Sequence, residues 1–367
     1  NAGNNRLLFG LWILAQLGYF AYSYYVLINT AALSFFSSVI GQGLPIARAS
    51  ANIINLNCAL ILFTVCRNLI SALRTTMLNR FVLLDSHIAF HVAIAWAIVF
   101  WGYVHAVAHY VNYLNVEHAL LAQGVTAKSL AFDSGPGITG QVVTVALFLM
   151  VTSAVAVVRR KHFEMFWFTH HLYIVFFAGL LMHGAFCFIK SDGSGDGVGR
   201  CRGGPQFWKW WIFSGGAFLI EKLIRECRGR QQTHISKVIQ HPSRVVEIQI
   251  KKPSITTKAG QYILISCPSI ALHEWHPFTL TSSPHEKFIS IHIRVVGDWT
   301  TRFAQRLGCS FPGDKDAEEG GRPAWTGTMP VVLVDGPYGS ASEDVFDYEV
   351  AVLVGAGIGV TPFGKFC

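Results

Sequence analysis

The sequence predicts a membrane α-helical bundle, followed by an antiparallel β domain and the opening of a Rossmann-like α/β unit. Three observations predict it. Six apolar segments, each long enough for a helix crossing about 30 Å of hydrocarbon, lie before residue 225. Beyond Arg230 come short alternating runs, HISKVIQ, VVEIQIK, QYILISC and FISIHIRVV, which read as the strands of a barrel or sandwich. Near the end an apolar stretch, VAVLVGAGIGVTP, runs into a glycine turn that lets backbone approach a pyrophosphate at a helix N-terminus.

Composition narrows the class. Of 367 residues, 52% are hydrophobic and only 14% charged, with mean hydropathy +0.41, which excludes an ordinary soluble globule. The net charge of +8 is not gathered into one stripe, so it fits basic membrane loops and excludes a nucleic-acid partner. Eight cysteines without a C-x-x-C pair exclude a zinc ribbon and a disulfide framework, although Cys187 and Cys201 would pair in an extracytoplasmic loop. A first residue Asn and an abrupt stop at Cys367 read as a piece of a longer chain.

The six expected spans are Leu7–Ile28, Ala47–Leu73, Ser86–Asn112, Ile138–Val158, Phe163–Ile189 and Phe207–Ile224. The first is too long for a signal peptide. Basic residues fix the orientation. Arg74 and Arg80, then Arg159, Arg160 and Lys161, then Lys222, Arg225, Arg228 and Arg230 all fall on one side, which the positive-inside rule makes the cytosol. Both termini are expected there, in a multi-pass protein of the plasma membrane or an endomembrane. The loop from Lys190 to Lys209 opposes this bias weakly, because Asp192 and Asp196 offset its basic residues.

The third span carries His87, His91, His105 and His109. An ionisable group inside a span is costly and points to function. His91 and His105 differ by only about 40° in heading and stand about 21 Å apart along the axis. One imidazole toward each side of the hydrocarbon suits two stacked cofactors. A lone histidine there is more often satisfied by neighbouring helices; four on one segment reverse that balance.

The fifth span, containing FWFTHHLYIVFFAGLLMHG, offers His170, His171 and His183. His170 to His183 spans about 20 Å, matching the depth of the first pair. The headings do not match: His170 lies about 140° from His183, and His171 about 120°, so this helix must be tilted or distorted, or the cofactors rotated. Geometry alone does not choose between His170 and His171. The i, i+4 pairs His87/His91 and His105/His109 also have a metal-ion spacing, but a zinc or iron ion would need further ligands at the same depth. Bis-histidine b-type haem is the stronger reading.

The β region contains WHPFTLTSSP, IHIR and VVLVDGPYGS ahead of the glycine turn. With NLNCALILFTVCRNLISALR, VHAVAHYVN, FEMFWFTHHL, ISIHIRVVGDWT, DGPYGSASEDVF and VLVGAGIGVTPF, these segments resemble the catalytic subunit of the NADPH oxidase family, within the ferric-reductase-like transmembrane superfamily. The resemblance covers nearly the whole chain. It implies a six-helix di-haem domain over 1–228, an FAD-binding β-barrel over 229–345 and a truncated start of an NADPH-binding domain over 346–367.

The resemblance also implies roles. His91 and His170 would ligate an inner haem, His105 and His183 an outer one. His276, Pro277, Phe278, Thr279, Leu280, Thr281 and Ser282 would hold FAD, with Arg294 near its pyrophosphate. Gly355, Gly357, Gly359, Thr361 and Pro362 would approach NADPH. Arg48 and His109 would stand at the oxygen site, and Arg67 and Arg74 would face haem propionates, against the plainer reading of snorkelling to headgroups. Electrons would pass from NADPH through FAD and two b haems to molecular oxygen, forming superoxide, since flavin converts a hydride into single electrons. Partners implied are the lipid bilayer and a small membrane subunit or cytosolic activators. In this family the nicotinamide domain continues past GVTPF, so the polypeptide as given is expected to use NADPH weakly.

Two other functions fit part of the pattern. A metalloreductase would share the haem histidines but should expose acidic, His or Cys residues outside. A proton-conducting or assembly protein would use the histidines as a relay and show no haem absorption, and the FAD-type segment argues against it.

Overall fold

A computed structural model describes residues 2–30, 37–38, 40–80, 82, 84–186, 208–253, 255–312 and 328–363. Cys187 and Cys201, with nearly all of the loop from Lys190 to Lys209, lie outside the described residues. In chain order the helices are α1 (Ala2–Ile28), α2 (Gly43–Phe63), α3 (Arg67–Arg74), α4 (His87–Ala119), α5 (Ala127–Phe132), α6 (Gly135–Ala154), α7 (Ala156–Lys161), α8 (Phe163–His170), α9 (Tyr173–Ala185), α10 (Trp208–Gly229) and α11 (Asp298–Arg306). The chain divides into two compact units, residues 1–65 with 81–218, and residues 66–80 with 219–367.

The first unit is a helical bundle. Among the described residues, five helices are long and apolar enough to cross a membrane: Arg6–Ile28, Gly43–Phe63, Leu84–Ala119, Gly135–Ala154 and Phe163–Ala185. Helix α2 packs against α1 and α4, while α6 packs against α8 and α9. Cys58, Ile94, Ile98, Ala146 and Phe176 form its buried apolar centre. A Cβ on Gly43 would run into the Asn112 amide and come 3.1 Å from the Ala108 carbonyl, so glycine suits this close approach of α2 to α4. Buried Asn57 donates to Gln16 Oε1 at 2.7 Å, tying α2 to α1. Phe100 and Phe148, on two of these helices, are mostly exposed, as lipid-facing side chains should be.

Two expected spans are shorter than the apolar text suggests. The second stops at Phe63, and RNLISALR forms a separate helix, α3, in the other unit. Its polar Arg67, Asn68 and Arg74 account for the division, since a hydrocarbon-embedded helix would not carry them together. The fourth breaks at Val155, whose ψ of 136° leaves helical geometry ahead of the basic α7.

Among the described residues the second unit holds six strands, β1 (His234–His241), β2 (Val245–Lys251), β3 (Tyr262–Ser266), β4 (His276–Thr279), β5 (Ile289–Arg294) and β6 (Leu333–Tyr338). They form two antiparallel sheets, ordered β1-β2-β5 and β4-β3-β6, joined by a bridge between Leu280 and Ile291. Alternation decides the faces: Val246, Ile248 and Ile250 of β2 are buried, while Glu247 and Gln249 turn outward. The inward residues meet Trp299, Phe303 and Ala304 of α11 in one apolar core.

The same unit contains a buried ionic knot. Asp335 of β6 accepts from Arg225 Nε at 2.8 Å, from Arg228 Nη2 at 2.5 Å and from Tyr338 Oη at 2.6 Å. Burial alone would raise the Asp335 carboxyl, but the Tyr338 hydrogen bond and the two guanidiniums hold it below the usual range. Nearby Lys252 donates to the Arg228 and Val334 carbonyls at 2.8 and 2.6 Å.

The expected opening strand at Ala351–Gly355 forms no ladder among the described residues. A parallel strand pairs only with neighbours delivered by a crossover connection. The glycine turn itself is a short 3₁₀ segment, Gly357–Phe363, packed on β5.

Candidate functional site

The histidines of the bundle meet in two pairs. The His91 ring stands 6.2 Å from that of His170, and the His105 ring 6.1 Å from that of His183. An imidazole–metal–imidazole sandwich with bonds of about 2 Å places ring centroids roughly 6 Å apart. Both pairs therefore have the separation that an interposed iron requires, and side chains in van der Waals contact would stand closer.

His171 is turned elsewhere. Its ring lies 4.0 Å from that of Trp167, with Nδ1 2.7 Å from the Trp167 carbonyl. The choice that sequence geometry left open is thus made by a helix break. Between α8 and α9 the chain tightens, with His171 N bonded to Phe168 O and Leu172 N to Thr169 O. Each residue wound at about 120° rather than 100° adds about 20°, so three such residues remove about 60° of the roughly 140° mismatch in heading.

Partners fix the tautomers. Thr64 Oγ1 donates to the Ile61 carbonyl at 2.5 Å, so it accepts from His91 Nδ1–H at 2.9 Å. Thr139 Oγ1 donates to the Gly135 carbonyl at 2.7 Å and accepts from His183 Nδ1–H at 3.0 Å. His105 Nδ1–H gives its proton to the Ala47 carbonyl at 2.8 Å. In all three rings this tautomer puts the lone pair on Nε2, the state a metal ligand needs. His170 Nδ1 is buried with no hydrogen-bond partner among the described residues. The donor set therefore fits two six-coordinate haems. Neither Thr64 nor Thr139 was found by sequence reasoning; hydroxyls on apolar helices are too common to signal a partner.

A cavity of about 930 Å³ opens beside the second pair, lined by His105, His183, Arg48, His109, Gly102 and Gly140, among others. Such a volume is in the range of cofactor sites, about 300–1,000 Å³. A Cβ on Gly140 would come 3.4 Å from His183 Cε1, an ordinary van der Waals contact, so this stretch of α6 lies directly against that ring. His109 stands edge-on to His105 at 4.6 Å. His87 is outside this constellation, with Nδ1 2.9 Å from the Leu84 carbonyl.

In the second unit, β4 carries His276 and Phe278 toward Trp299, with the His276 ring stacked at 4.0 Å and the Phe278 ring at 6.2 Å. Pro277 is exposed, and Thr279 is half-buried. Leu280 and Ser282 point inward and are buried. Thr281 Oγ1 lies 2.8 Å from Ser290 Oγ and 2.9 Å from His292 Nδ1. Arg294 is exposed at the end of β5, its Nη1 4.0 Å from where a Cβ on Gly357 would stand. Gly357 adopts φ +56°, and Gly359 faces open space. A guanidinium beside a left-handed glycine turn is a donor set suited to phosphate anions. Thr361 Oγ1 donates within the turn to Ile358 O, and Pro362 follows inside it.

Arg67 and Arg74 have partners in the same unit. The Arg67 guanidinium lies over the Tyr338 ring at 5.9 Å, and Arg74 Nη2 donates to Ser340 O at 2.8 Å and Asp344 Oδ1 at 3.0 Å.

Sequence comparison converges with this geometry. The family described as ferric reductase like transmembrane component matches residues 49–181, and the FAD-binding domain matches residues 230–342. A superoxide-generating NADPH oxidase heavy chain of Dictyostelium discoideum is 40% identical, over 100% of this chain and 69% of its own length. NADPH oxidase 1 of Mus musculus is 36% identical over 96% of this chain and 67% of its own, and NADPH oxidase 3 of Homo sapiens 34% over 96% and 72%. This chain thus spans about two thirds of the length of these relatives. With matched transmembrane and flavin segments and identity at this level along its length, the chain belongs to the NADPH oxidase family.

Proposed function

We propose that the chain carries electrons across a membrane from NADPH, through FAD and two bis-histidine b haems, to molecular oxygen, forming superoxide. The observation that carries this reading is the pair of imidazole sandwiches, at 6.2 and 6.1 Å, on helices that also offer the right depth. When bound, the nicotinamide supplies a hydride, the flavin divides it into single electrons, and the haems pass these on one at a time.

The residues would act as follows. His91 and His170 hold the inner iron and His105 and His183 the outer, with Thr64, Thr139 and the Ala47 carbonyl keeping the rings aimed. With two histidines on each iron no ligand position would stay open, so the acceptor would be met at the cavity wall. There Arg48 places a positive charge where an anion forms, with His109 beside it. The cation Arg48 with His109 at this cavity favours oxygen over a metal cation as acceptor. His276 through Ser282 and Arg294 would bind FAD, through backbone where the side chains are buried. Gly355, Gly357, Gly359, Thr361 and Pro362 would receive NADPH. Arg67 and Arg74 remain proposed partners of the propionates.

Helix α10 would be the sixth span, with both termini in the cytosol, and the two sheets would close into a barrel. A small membrane subunit or cytosolic activators would complete the assembly.

The test is a reduced-minus-oxidised visible spectrum of the purified chain, with haem quantified per polypeptide. Two six-coordinate b haems are expected, one lost in His91→Ala and the other in His105→Ala. A folded sample without haem would overturn the reading.

A further inference from the structure

The β domain carries a second histidine constellation that the electron path does not use. His241, the last residue of β1, Glu247 of β2 and His292 of β5 converge on the outer face of the first sheet. Pairing brings them there. Glu247 is directly opposite His292, and His241 lies on the diagonal from Glu247, its own partner being Val245. All three are half-buried, and one ligand atom from each lies within 4.8 Å of the others.

The distances suit an ion. Glu247 Oε2 is 3.1 Å from His241 Nε2 and 3.5 Å from His292 Nε2. A tetrahedral ion with bonds of about 2.0–2.1 Å needs donors about 3.3 Å apart. The two imidazoles stack, with centroids 5.4 Å apart and planes 25° apart, and both turn Nε2 to the same carboxylate oxygen. Two imidazolium ions so placed would repel each other, whereas two neutral rings and a carboxylate around one divalent cation would not.

The outer contacts are also those of a ligand set. His292 Nδ1 is occupied by Thr281 Oγ1 at 2.9 Å, leaving Nε2 to face inward. Gln249 Nε2 donates to Glu247 Oε1 at 3.1 Å, leaving Oε2 for the shared position. Partners of this kind orient metal ligands and raise their basicity.

We propose that His241, Glu247 and His292 bind one first-row divalent transition ion, zinc being the type, with a fourth position open to water. Two imidazoles and one carboxylate form a borderline donor set, suited to zinc and poorly suited to magnesium or calcium. The ion would clamp three strands together and fix Thr281, which lies in the segment proposed to hold FAD.

The experiment measures zinc on the full haem-loaded chain, dialysed against a zinc-buffered solution, by mass spectrometry and by X-ray absorption at the zinc edge, where haem iron is silent. The wild type should hold one more zinc than Glu247→Gln or His241→Ala, in a shell of nitrogen and oxygen at about 2.0 Å. Gln249→Leu, which keeps all three ligands, should weaken zinc about 10-fold or more. Haem content and circular dichroism report that each variant is folded, and Gln249→Leu alone decides if the ligand variants are not. Equal zinc in wild type and folded variants, or none in the wild type, would overturn the proposal.

Discussion

Thr139 Oγ1 accepts the Nδ1 proton of His183 at 3.0 Å while giving its own proton to the Gly135 carbonyl one turn back. The same arrangement recurs at Thr64 and His91, where the hydroxyl is committed to Ile61 O. Replacing either threonine by valine keeps the shape but strands a buried N–H. Thr139→Val should therefore weaken retention of the outer haem about 10- to 100-fold and make its midpoint potential more positive, because a less basic imidazole favours oxidised iron less. Thr64→Val should do the same to the inner haem. Redox titration with haem quantification checks both.

The break between α8 and α9 gives neighbouring histidines different fates. His170→Ala should cost one haem per chain, whereas His171→Ala, whose ring rests on Trp167, should keep both. Visible spectra of the two variants, normalised to protein, separate the outcomes.

Arg48 is expected to act on the acceptor alone. Arg48→Leu should leave both haem signals in place and slow reoxidation of the reduced protein by oxygen about tenfold or more, as loss of one charge-stabilising donor does. Stopped-flow reoxidation followed at the haem bands is the measurement.

Lys252 supplies a pH dependence. Burial and the Arg228 guanidinium push its ammonium down to about 8, against an ordinary value of 10.5. Between these two values the unfolded chain binds the proton that the folded domain has released, so stability rises with pH across this window. The Tm of the β domain in wild type should gain on that of Lys252→Met from about pH 8 to 10.5. Parallel melting curves would show that Lys252 contributes nothing.

The Asp335 knot should matter for stability. Asp335→Asn leaves Arg225 and Arg228 without their carboxylate in a largely buried place. Breaking such a pair costs about 3–5 kcal/mol, which thermal or denaturant unfolding of the β domain would report.

Much of this was legible in the sequence because the signals were periodic or costly. Apolar runs marked the helices, alternation marked β2 and β5, and four histidines inside one apolar segment could not be ignored. What escaped was whatever depends on contacts between distant positions. The spans broke at Val155 and after Phe63, where no proline or glycine announces an end. Helical geometry could not separate His170 from His171, which only the resemblance did, because the local winding between α8 and α9 is not written in the spacing. Asp335 sat in plain view within DGPYG, but its two arginines come from a helix more than a hundred residues earlier.

The Ala47 carbonyl that takes the His105 proton belongs to the residue just before Arg48, and Ser50 Oγ also donates to it at 2.8 Å. The orientation of the His105 ring and the position of Arg48 at the cavity are thus set by adjoining peptide units of α2. A rotation or small slide of that helix cannot alter one without the other. On the proposed reading, electron delivery and electron acceptance would be geared to a single turn of backbone, so a side-chain change elsewhere on α2 would be felt as a correlated drift in both potential and oxygen reactivity.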